Sequence, residues 1–506
     1  MITQGKLGKV RVRMAPSPTG SLHVGGVRTA IYNILFAQKN NGVCVLRIED
    51  TDEERSTKEF EQDILDSFSW LGLTFDEGIM PDGSSKGDYG PYRQTERLDL
   101  YEKFLHQLLS ESKAFYCFCT KEELEGERQS QEIAGLAPKY NGKCRSVSGE
   151  ESARRLSAGR PAVIRLKVGS GKKHFSDLVR GEVEFETGLM GDIVIAKSLR
   201  QPLYNFAVVI DDATMEISHV FRGEEHLANT PKQLLIAEAL GVHTPIFAHL
   251  PIILSATGKG KMSKRDGGTT VGEYKAAGYL PSALVNFLVL VGWHPAPGQS
   301  SVSGENRPIG GREILTFPEM AELFSIDRVQ KGGAVFDKNK LDFFNSQYIR
   351  SLPDEELSLL LADDRFSEEG WRTDLTLFKK AVAVYKERLV TLGDFRAIAR
   401  LLFELPEYDA GLLVWKKSTP ELAKENLIHS RELLVGLPDQ LFRQDSLEPK
   451  VMAIADQYGR GDLLWPLRVA LSGQTTSPPP VDLLVVLGKT ESLARVDAAI
   501  NKLNSS

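Results

Sequence analysis

Ser17-Pro18-Thr19-Gly20-Ser21-Leu22-His23-Val24-Gly25-Gly26 is the stretch of this chain that says most about its fold. It follows residues 10–14, whose alternating apolar pattern is typical of a β-strand. An apolar helical pattern follows it and ends near Gly42, and a second strand is predicted from Val43 to Ile48. This order is typical of an open α/β sheet that binds a nucleotide, because glycines at the start of a helix let phosphates approach the backbone.

A second motif, Lys261-Met262-Ser263-Lys264-Arg265, lies far along the chain from the first. Either motif alone is weak evidence, because a histidine at a helix start or a lysine-rich loop is most often a solvated surface feature. Together they indicate a site that binds ATP and adenylates a carboxylate. We expect His23 to donate a hydrogen bond to phosphate or ribose, and Lys261 and Lys264 to neutralise pyrophosphate as it leaves.

Bulk properties limit the class of protein. The chain has 506 residues, and we expect it to form about two to four domains. The net charge of −6 gives no overall attraction for nucleic acid, so binding of that kind has to use local basic faces. No apolar run reaches the length of a membrane span, and residues 1–9 lack the features of a targeting peptide. We therefore expect a soluble cytoplasmic protein.

The pattern changes along the chain. Residues 1–115 and 202–243 carry an α/β pattern, and residues 116–201, with short strand-like runs, are predicted to be an insertion between two halves of the sheet. Beyond about residue 270 the pattern is helical. Two helix starts are predicted in the α/β part, one with a capping box of Ser56 and Glu59 and one with a proline at the first helical position, Thr230-Pro231.

Two arginines are candidates for holding a substrate with two carboxylates. Arg13 lies at the end of the first strand and Arg222 ends a later one, which is the edge where open α/β sheets bind ligands. A guanidinium binds a carboxylate through two parallel hydrogen bonds. Glu49 could then hold an amino group, whereas the neighbouring Asp52 and Glu53 could equally be a helix cap and solvated surface.

Three of the four cysteines lie close together. Cys117-Phe118-Cys119 is followed by Cys144, and this spacing resembles a structural zinc knuckle. The nearest candidate for a fourth ligand is Tyr140, an uncommon choice because a phenol must give up its proton. The alternative is three packed thiols without a metal. Cys44 lies in a predicted strand and is expected to be a core residue.

Further motifs identify a family. With those above, they are Arg13 to Gly26, Arg47 to Asp52, Gly90-Pro91-Tyr92-Arg93-Gln94-Thr95-Glu96-Arg97, Tyr204 to Asp212, His219 to Glu225, Lys261 to Gly267, Gly332-Gly333-Ala334-Val335-Phe336-Asp337 and Pro466 to Gly473. In these motifs the chain resembles a glutamyl-tRNA synthetase of the bacterial kind, a class I aminoacyl-tRNA synthetase, over nearly its whole length. One departure is Ser146, where some relatives carry a histidine two residues after the third cysteine.

The resemblance implies an ATP-dependent glutamate–tRNA ligase that needs bound tRNA before it activates glutamate, with magnesium accompanying the nucleotide. By motif position, glutamate would be surrounded by Arg13, Ala15, Ser17, Glu49, Tyr204 and Arg222. ATP would be bound by Thr19, His23, Gly25, Glu225, Lys261, Ser263 and Lys264. We expect a monomer that binds tRNA(Glu) and no membrane.

The resemblance also implies a fold: a Rossmann-like catalytic domain with an α+β insertion, followed by helical stem-contact and anticodon-binding domains. The predicted parts are 1–115 and 202–243 for the two halves of the catalytic domain, 116–201 for the acceptor-binding insertion (the connective peptide), 244–350 for the stem-contact domain with the second motif, and 351–506 for the anticodon-binding region. Arg388 would read the third anticodon base, or be a surface arginine. The insertion would present Lys139, Lys143, Arg145, Arg154 and Arg155 to phosphates, or pair them with acids.

Four other classes compete with this interpretation. A glutaminyl-tRNA synthetase would carry a β-barrel anticodon part, which the helical pattern disfavours. A short paralogue that glutamylates a tRNA base would lack the helices after residue 341. A non-catalytic tRNA-binding protein would be expected to lose a lysine of the second motif, and both are present. A small-molecule adenylyltransferase would not explain the second half of the chain.

Overall fold

The computed structural model describes residues 8–258, 260–262, 269–296, 313–416 and 418–505. The chain divides into two compact units, Met1–Tyr274 with Pro281–Lys338, and Lys275–Leu280 with Asn339–Ser506. Ser263 and Lys264, which we expect to act on ATP, lie outside the described residues. In the described parts of the chain, every helix is too short or too polar to cross a bilayer.

The first unit mixes strands and helices. Its strands are β1 (Arg11–Met14), β2 (Val43–Leu46), β3 (Glu77–Ile79), β4 (Ser85–Lys86), β5 (Ala114–Cys117), β6 (Val163–Leu166), β7 (Lys172–Asp177), β8 (Gly181–Glu186), β9 (Ile193–Ser198), β10 (Gln201–Pro202), β11 (His219–Gly223), β12 (Ile246–Leu250), β13 (Ile253–Leu254) and β14 (Ala334–Val335). Its helices are α1 (Val24–Lys39), α2 (Lys58–Trp70), α3 (Leu98–Ser110), α4 (Lys121–Ile133), α5 (Gly149–Ser157), α6 (Tyr204–Thr214), α7 (Thr230–Leu240), α8 (Val271–Ala277, which continues into the second unit), α9 (Pro281–Leu290) and α10 (Phe317–Leu323).

A parallel sheet with helical crossovers forms the centre of this unit. Strands β1, β2 and β3 are parallel neighbours connected through α1 and α2, and β11 and β12 are parallel neighbours connected through α7. The two sets meet where Arg11 donates its N–H to Ser218 Oγ at 2.8 Å. In return, the N–H of Ser218 donates to the Arg11 carbonyl at 2.9 Å. The strand order therefore reverses between β1 and β11, which is where open α/β sheets bind ligands.

Strand β1 is buried along its whole length, although its alternating sequence would suit a half-exposed strand. Its two arginines are buried because each has an acidic partner. Arg11 forms two hydrogen bonds of 2.8 Å with Glu77, and Arg13 Nε lies 3.1 Å from Asp212 Oδ1. These pairs offset the desolvation of both guanidinium groups in the middle of the sheet.

The predicted insertion is organised around antiparallel strands, but part of it extends the central sheet. Strands β5, β6, β9 and β10 form one antiparallel sheet in the order β10-β9-β6-β5. The β7–β8 hairpin instead joins the edge strand β12, with Asp177 opposite Phe247. Residues 172–186 therefore extend the central sheet beyond β12, which the sequence pattern did not indicate.

The two predicted helix starts had different outcomes. Helix α2 is capped by Thr57, whose Oγ1 accepts from the N–H of Phe60 at 3.2 Å, so the prediction of a Ser56 cap was wrong. The N–H of Ser56 bonds the Asp52 carbonyl in a preceding turn and is therefore not available to Glu59, while the N–H of Thr57 bonds the Pro18 carbonyl at 3.1 Å and Thr57 is the last residue before the helix. The prediction for α7 is confirmed, with Pro231 in its first turn.

The second unit is helical throughout its described residues. It contains α11 (Lys338–Ser351, whose first residue belongs to the first unit), α12 (Asp354–Leu361), α13 (Leu375–Tyr385), α14 (Asp394–Phe403), α15 (Pro420–Gly436), α16 (Gln444–Tyr458), α17 (Arg460–Ser472) and α18 (Pro480–Asn504). This agrees with the helical pattern predicted beyond about residue 270. Helices α13 and α14 are separated by a single 3₁₀ turn at Lys386–Arg388 and a loop. The non-helical backbone of Gly488, with φ of 72°, separates α18 into two helical parts.

Arg495 joins three helices of this unit. Its side chain is only 3% exposed. From α18 it donates to the carbonyls of Leu401 at 2.7 Å and Leu402 at 3.1 Å in the last turn of α14. It also donates to the carbonyl of Leu471 at 2.8 Å in the last turn of α17. A cation at two helix C-termini satisfies carbonyls that have no partner within the helix and interacts favourably with both helix dipoles.

Replacing Arg495 with methionine should lower the stability of the second unit by roughly 3 kcal/mol or more, because buried carbonyls lose a charged donor. Thermal unfolding followed by circular dichroism measures this. Arg400→Met is the matched control, since Arg400 is 63% exposed and pairs with Glu404 on the same helix. Equal unfolding temperatures for the two variants would contradict the role given to Arg495.

Candidate active site

A cavity of about 770 Å³ opens in the first unit at the carboxyl ends of β1 and β11. Every described residue that we predicted to bind glutamate or ATP lines it: Arg13, Ala15, Ser17, Thr19, His23, Gly25, Glu49, Tyr204, Arg222, Glu225 and Lys261. The first motif and the described residues of the second, Lys261 and Met262, thus line the same cavity. This is the place in the sheet where a nucleotide is expected.

His23 caps the helix that follows the first motif. Its Nδ1 accepts from the N–H of Gly25 at 3.2 Å, so the proton of the neutral ring lies on Nε2 and is free to be donated to a ligand. Burial, together with the positive charge of Lys261, lowers the pKa of His23 below its usual value. A neutral donor therefore lies beside the positive end of α1, where phosphate groups bind favourably.

Backbone hydrogen bonds join the first motif to the segment that follows the second. The N–H of Val24 donates to the Thr269 carbonyl at 3.0 Å, and the N–H of Val271 donates to the Leu22 carbonyl at 3.0 Å. At the start of the second motif itself, the N–H of Met262 donates to the Ile253 carbonyl of β13 at 2.9 Å. Lys261 is 66% exposed, and its Nζ lies 3.9 Å from Glu225. This lysine is therefore close to the cavity without being fixed by a strong partner.

A buried network of charges lies under the cavity. Arg47 is fully buried and donates to Asp212 Oδ1 at 2.8 Å and to Glu49 Oε1 at 3.0 Å. Asp212 also pairs with Arg13 at 3.1 Å, while the neighbouring Asp211 accepts from Arg97 at 2.7 Å. Burial opposes the ionisation of Asp212, but Arg13 and Arg47 outweigh it and hold its pKa below the usual value.

Glu49 is also buried, but its pKa shifts in the other direction. Burial raises the pKa of Glu49, and Arg47 only partly offsets this. A carboxylate in this condition gains from a further positive partner. Glu49 lines the cavity, so an ammonium group of a ligand could supply that partner.

Arg222 is held by uncharged groups. Its Nε donates to His249 Nε2 at 3.1 Å, and its Nη2 donates to Thr230 Oγ1 at 2.6 Å. It forms no salt bridge with any residue in the described parts of the chain. Burial lowers the pKa of Arg222 below its usual value, although an arginine stays protonated at neutral pH. Its charge is therefore uncompensated at the cavity wall and suits an anionic ligand group.

The cysteine cluster has the composition and spacing of a metal site. The sulfurs of Cys117, Cys119 and Cys144 lie within 4.8 Å of one another. The phenol oxygen of Tyr140 is 3.6 Å from Cys117 Sγ and 3.9 Å from Cys119 Sγ, and it accepts from the N–H of Cys144 at 2.7 Å. Burial raises the pKa of the Tyr140 phenol. Three thiols and a phenol oxygen around one point fit a structural zinc ion, and Cys44 is buried elsewhere in β2.

The basic residues of the predicted insertion have partners within the protein. Lys143 pairs with Glu123 at 2.7 Å, Arg145 with Asp192 at 3.0 Å, and Arg154 and Arg155 with Glu151 at 2.5 and 2.6 Å. Lys139 donates to the Gly188 carbonyl at 2.7 Å. Four of these five side chains thus pair with acidic residues, which is the alternative that the sequence left open to binding phosphates. In the second unit, Arg388 is exposed at the end of the 3₁₀ turn.

Sequence reasoning missed several residues that shape the cavity. Arg47 and Asp212 lie in quoted motifs but received no role, and an arginine within a predicted apolar strand was the signal for an acidic partner. His226 lines the cavity, and its Nδ1 lies 3.3 Å from the Tyr204 hydroxyl. His249 and Asp177 were not singled out, because they lie on strands whose pairing no local pattern reveals.

Comparison with known proteins agrees with this geometry. Residues 9–343 match the family described as tRNA synthetases class I (E and Q), catalytic domain, and residues 356–500 match an anticodon binding domain. The chain thus belongs to the class I aminoacyl-tRNA synthetases.

Comparison with individual relatives shows which family within this class the chain belongs to. The glutamate–tRNA ligase of Carboxydothermus hydrogenoformans is 43% identical over 96% of this chain and 99% of its own length. That of Natranaerobius thermophilus is 41% identical over 98% of this chain and 99% of its own. The crystal structure of a glutamate tRNA ligase from Elizabethkingia meningosepticum, in complex with its amino acid, superposes with a TM-score of 0.83 at 34% identity and covers 98% of this chain and 100% of that one. Within the class, the chain belongs to the glutamate–tRNA ligase family.

The Asp212 pairs should make stability depend on pH. The pKa of Asp212 is lower in the folded than in the unfolded chain, so the pairs stabilise the fold above about pH 4 and this contribution is lost as the pH falls through the folded value. Asp212→Asn should unfold at lower temperature than the wild type at pH 7, and the difference should shrink toward about pH 3. Scanning calorimetry across this range measures it.

Asp66→Asn serves as the control for this experiment. Asp66 is exposed on α2 and accepts a hydrogen bond from Gln62. Its replacement should leave the unfolding temperature close to that of the wild type at every pH. A difference between wild type and Asp212→Asn that stays constant with pH would contradict the role of the ion pairs.

Proposed function

We propose that the chain ligates L-glutamate to tRNA(Glu) in two steps. Glutamate first reacts with ATP to give glutamyl-adenylate and pyrophosphate, and the glutamyl group is then transferred to the 3′ adenosine of the tRNA. The observation that carries this proposal is one cavity in which His23, Lys261 and Arg222 converge at a topological switch point. The helical second unit supports the glutamate enzyme over its glutaminyl relative, whose anticodon part is expected to be a β-barrel.

In the proposed complex, glutamate is oriented by groups of opposite charge. Arg222, which has no ion pair in the described parts, binds the side-chain carboxylate, and Glu49 accepts hydrogen bonds from the ammonium group. Tyr204 and Arg13 complete the walls on α6 and β1. The α-carboxylate is then left free to react. It is already ionised at neutral pH, so it needs no general base.

ATP occupies the other half of the cavity and brings its magnesium ion as part of the substrate. His23 Nε2–H and the backbone around Gly25 donate to the nucleotide, with Thr19 and Glu225 beside them. An oxygen of the α-carboxylate attacks the α-phosphorus, and the bond to the oxygen that bridges the α- and β-phosphates breaks. Lys261, with Ser263 and Lys264 of the second motif, stabilises the charge that collects on pyrophosphate.

In the second step, the terminal hydroxyl of tRNA attacks the activated carbonyl, and AMP leaves. We propose that residues 116–201 bind the acceptor end, 244–350 contact the stem and 351–506 read the anticodon, with Arg388 at its third base. We further propose that bound tRNA is needed for activation, and that the enzyme acts as a cytoplasmic monomer.

The function is tested by ATP–pyrophosphate exchange. Exchange should occur with glutamate when tRNA(Glu) is present, and it should be nearly absent without tRNA or with glutamine. Lys264→Ala should slow it strongly by removing a charge from the leaving pyrophosphate, with little change in tRNA affinity. Lys86→Ala, at an exposed lysine on β4 that does not line the cavity, is the control and should behave as the wild type.

Other results of this experiment would point elsewhere. Exchange supported by glutamine would assign the chain to the sister specificity. Absence of exchange under every condition would leave a tRNA-binding protein without activity. Full activity of Lys264→Ala would refute the assignment of the second motif to ATP.

We also propose that Cys117, Cys119, Tyr140 and Cys144 hold a structural zinc ion. Metal analysis of the purified protein should find about one zinc per chain. Cys144→Ser should lose the metal, and Tyr140→Phe should release it to a chelator faster than the wild type does. Cys44→Ser should keep the metal, because that thiol is buried in β2. Zinc-free protein with unchanged unfolding temperature would favour three packed thiols instead.

A further inference from the structure

We propose that Asp177 and His249 are positioning residues for glutamate: together they fix the orientation of Arg222, and thereby the site of the substrate's side-chain carboxylate. The inference rests on the proposed function and assigns a role to two residues that do not line the cavity. Asp177 ends β7 in the predicted insertion, and His249 lies on β12, next to β11 and Arg222.

The hydrogen bonds leave one tautomer of His249. A guanidinium has no acceptor, so the contact of 3.1 Å between Arg222 Nε and His249 Nε2 requires Nε2 to carry no proton. The ring proton then lies on Nδ1, which is 2.6 Å from Asp177 Oδ2. Thr230 Oγ1, 3.0 Å from the same Nε2, accepts from Arg222 and can donate to the ring. Asp177 thus selects the tautomer that can accept from Arg222.

The surroundings exclude solvent from Asp177 and His249 and restrict rotation of the imidazole ring. The side chains of Asp177 and His249 are 0% exposed. Phe247 stacks on the His249 ring at 16° between planes, and Phe175 meets its edge. A ring enclosed by aromatic groups has little freedom to rotate, so the direction of the Arg222 side chain follows from that of His249.

The arrangement also preserves the charge of Arg222. A carboxylate in direct contact would neutralise the guanidinium and compete with the substrate, as Asp212 does for Arg13. Here the neutral imidazole separates Asp177 from Arg222. The arginine is therefore oriented by a carboxylate without being paired to it.

Asp177 also has a structural role, because its carboxylate accepts from the backbone N–H of His249, which lies 3.2 Å from Oδ1 and 3.1 Å from Oδ2. Its Oδ1 accepts from the N–H groups of Val179 at 2.9 Å and Arg180 at 2.8 Å, which shapes the turn after β7. In Asp177→Asn these donors hold the amide oxygen at the Oδ1 position. The NH₂ group then faces His249 Nδ1 and selects the opposite tautomer, which places Nε2–H against Arg222 Nε–H.

The test is tRNA-dependent ATP–pyrophosphate exchange with glutamate, using the full-length chain. Asp177→Asn should raise the KM for glutamate about ten-fold or more, with the KM for ATP within about two-fold of the wild type. The matched control is Glu61→Gln, which removes another buried carboxylate that accepts from Arg93 at 2.7 Å but has no hydrogen-bonded path to Arg222. Glu61→Gln should change stability without changing the KM for glutamate.

Variants of His249 provide the second, independent measurement. His249→Gln places a carbonyl acceptor near the Nε2 position and should keep the KM for glutamate within about three-fold of the wild type, whereas His249→Leu should raise it about ten-fold. In the His249→Gln background, Asp177→Asn should have no further effect, because no tautomer remains to be selected.

Each result decides between the inference and the proposed function. A wild type that does not exchange with glutamate refutes the proposed function and the inference with it. An active wild type, combined with Asp177→Asn that shifts both KM values equally or neither, refutes the inference alone. The inference alone would also be refuted if Asp177→Asn and His249→Gln had additive effects on the KM for glutamate. If Asp177→Asn does not fold, the comparison of His249→Gln with His249→Leu decides.

Discussion

The catalytic unit depends on two adjacent aspartates at the end of α6, Asp211 and Asp212, which hold arginines from three other segments. Arg13 comes from β1, Arg47 follows β2, and Arg97 precedes α3. Buried charges of this kind are costly unless all are paired, and removing one partner leaves the others uncompensated. These ion pairs therefore fix the positions of β1, β2 and α3 relative to α6, and thereby the shape of the cavity.

The two arginines expected to meet glutamate are consequently not equivalent. Arg13 is already neutralised by Asp212, so it shapes the cavity and adds little net charge. Arg222 is held by imidazole and hydroxyl groups and keeps its charge. In the proposed complex, a carboxylate of the substrate gains most at Arg222, whereas the amide of glutamine would leave that buried cation without a counter-ion. The proposed discrimination between the two amino acids thus follows from how each arginine is supported.

Much of this could be predicted from the sequence because the relevant signals are local. The strand–glycine–helix order indicated the open α/β sheet, and arginines at the ends of two strands indicated the edge of the sheet where the cavity lies. What could not be predicted depends on pairing between distant segments. The burial of Arg11 and Arg13 requires Glu77 and Asp212, and the joining of the β7–β8 hairpin to β12 brings Asp177 to His249. The choice of Thr57 over Ser56 as a cap also depends on a tertiary contact, the hydrogen bond from the Thr57 N–H to the Pro18 carbonyl at 3.1 Å.

The two halves of the cavity differ in rigidity, and the chemistry explains why. The half proposed to bind glutamate is built from buried side chains with fixed partners, which suits a planar guanidinium that must orient a carboxylate. In the ATP half, Lys261 and Glu225 are 66% and 50% exposed and only 3.9 Å apart at their nearest described atoms. A lysine is a point charge on a flexible stem, so it can follow pyrophosphate as the bond to the α-phosphate lengthens. In the proposed complex, a held arginine therefore orients the amino acid on one side of the cavity. On the other side, a flexible lysine neutralises the leaving pyrophosphate.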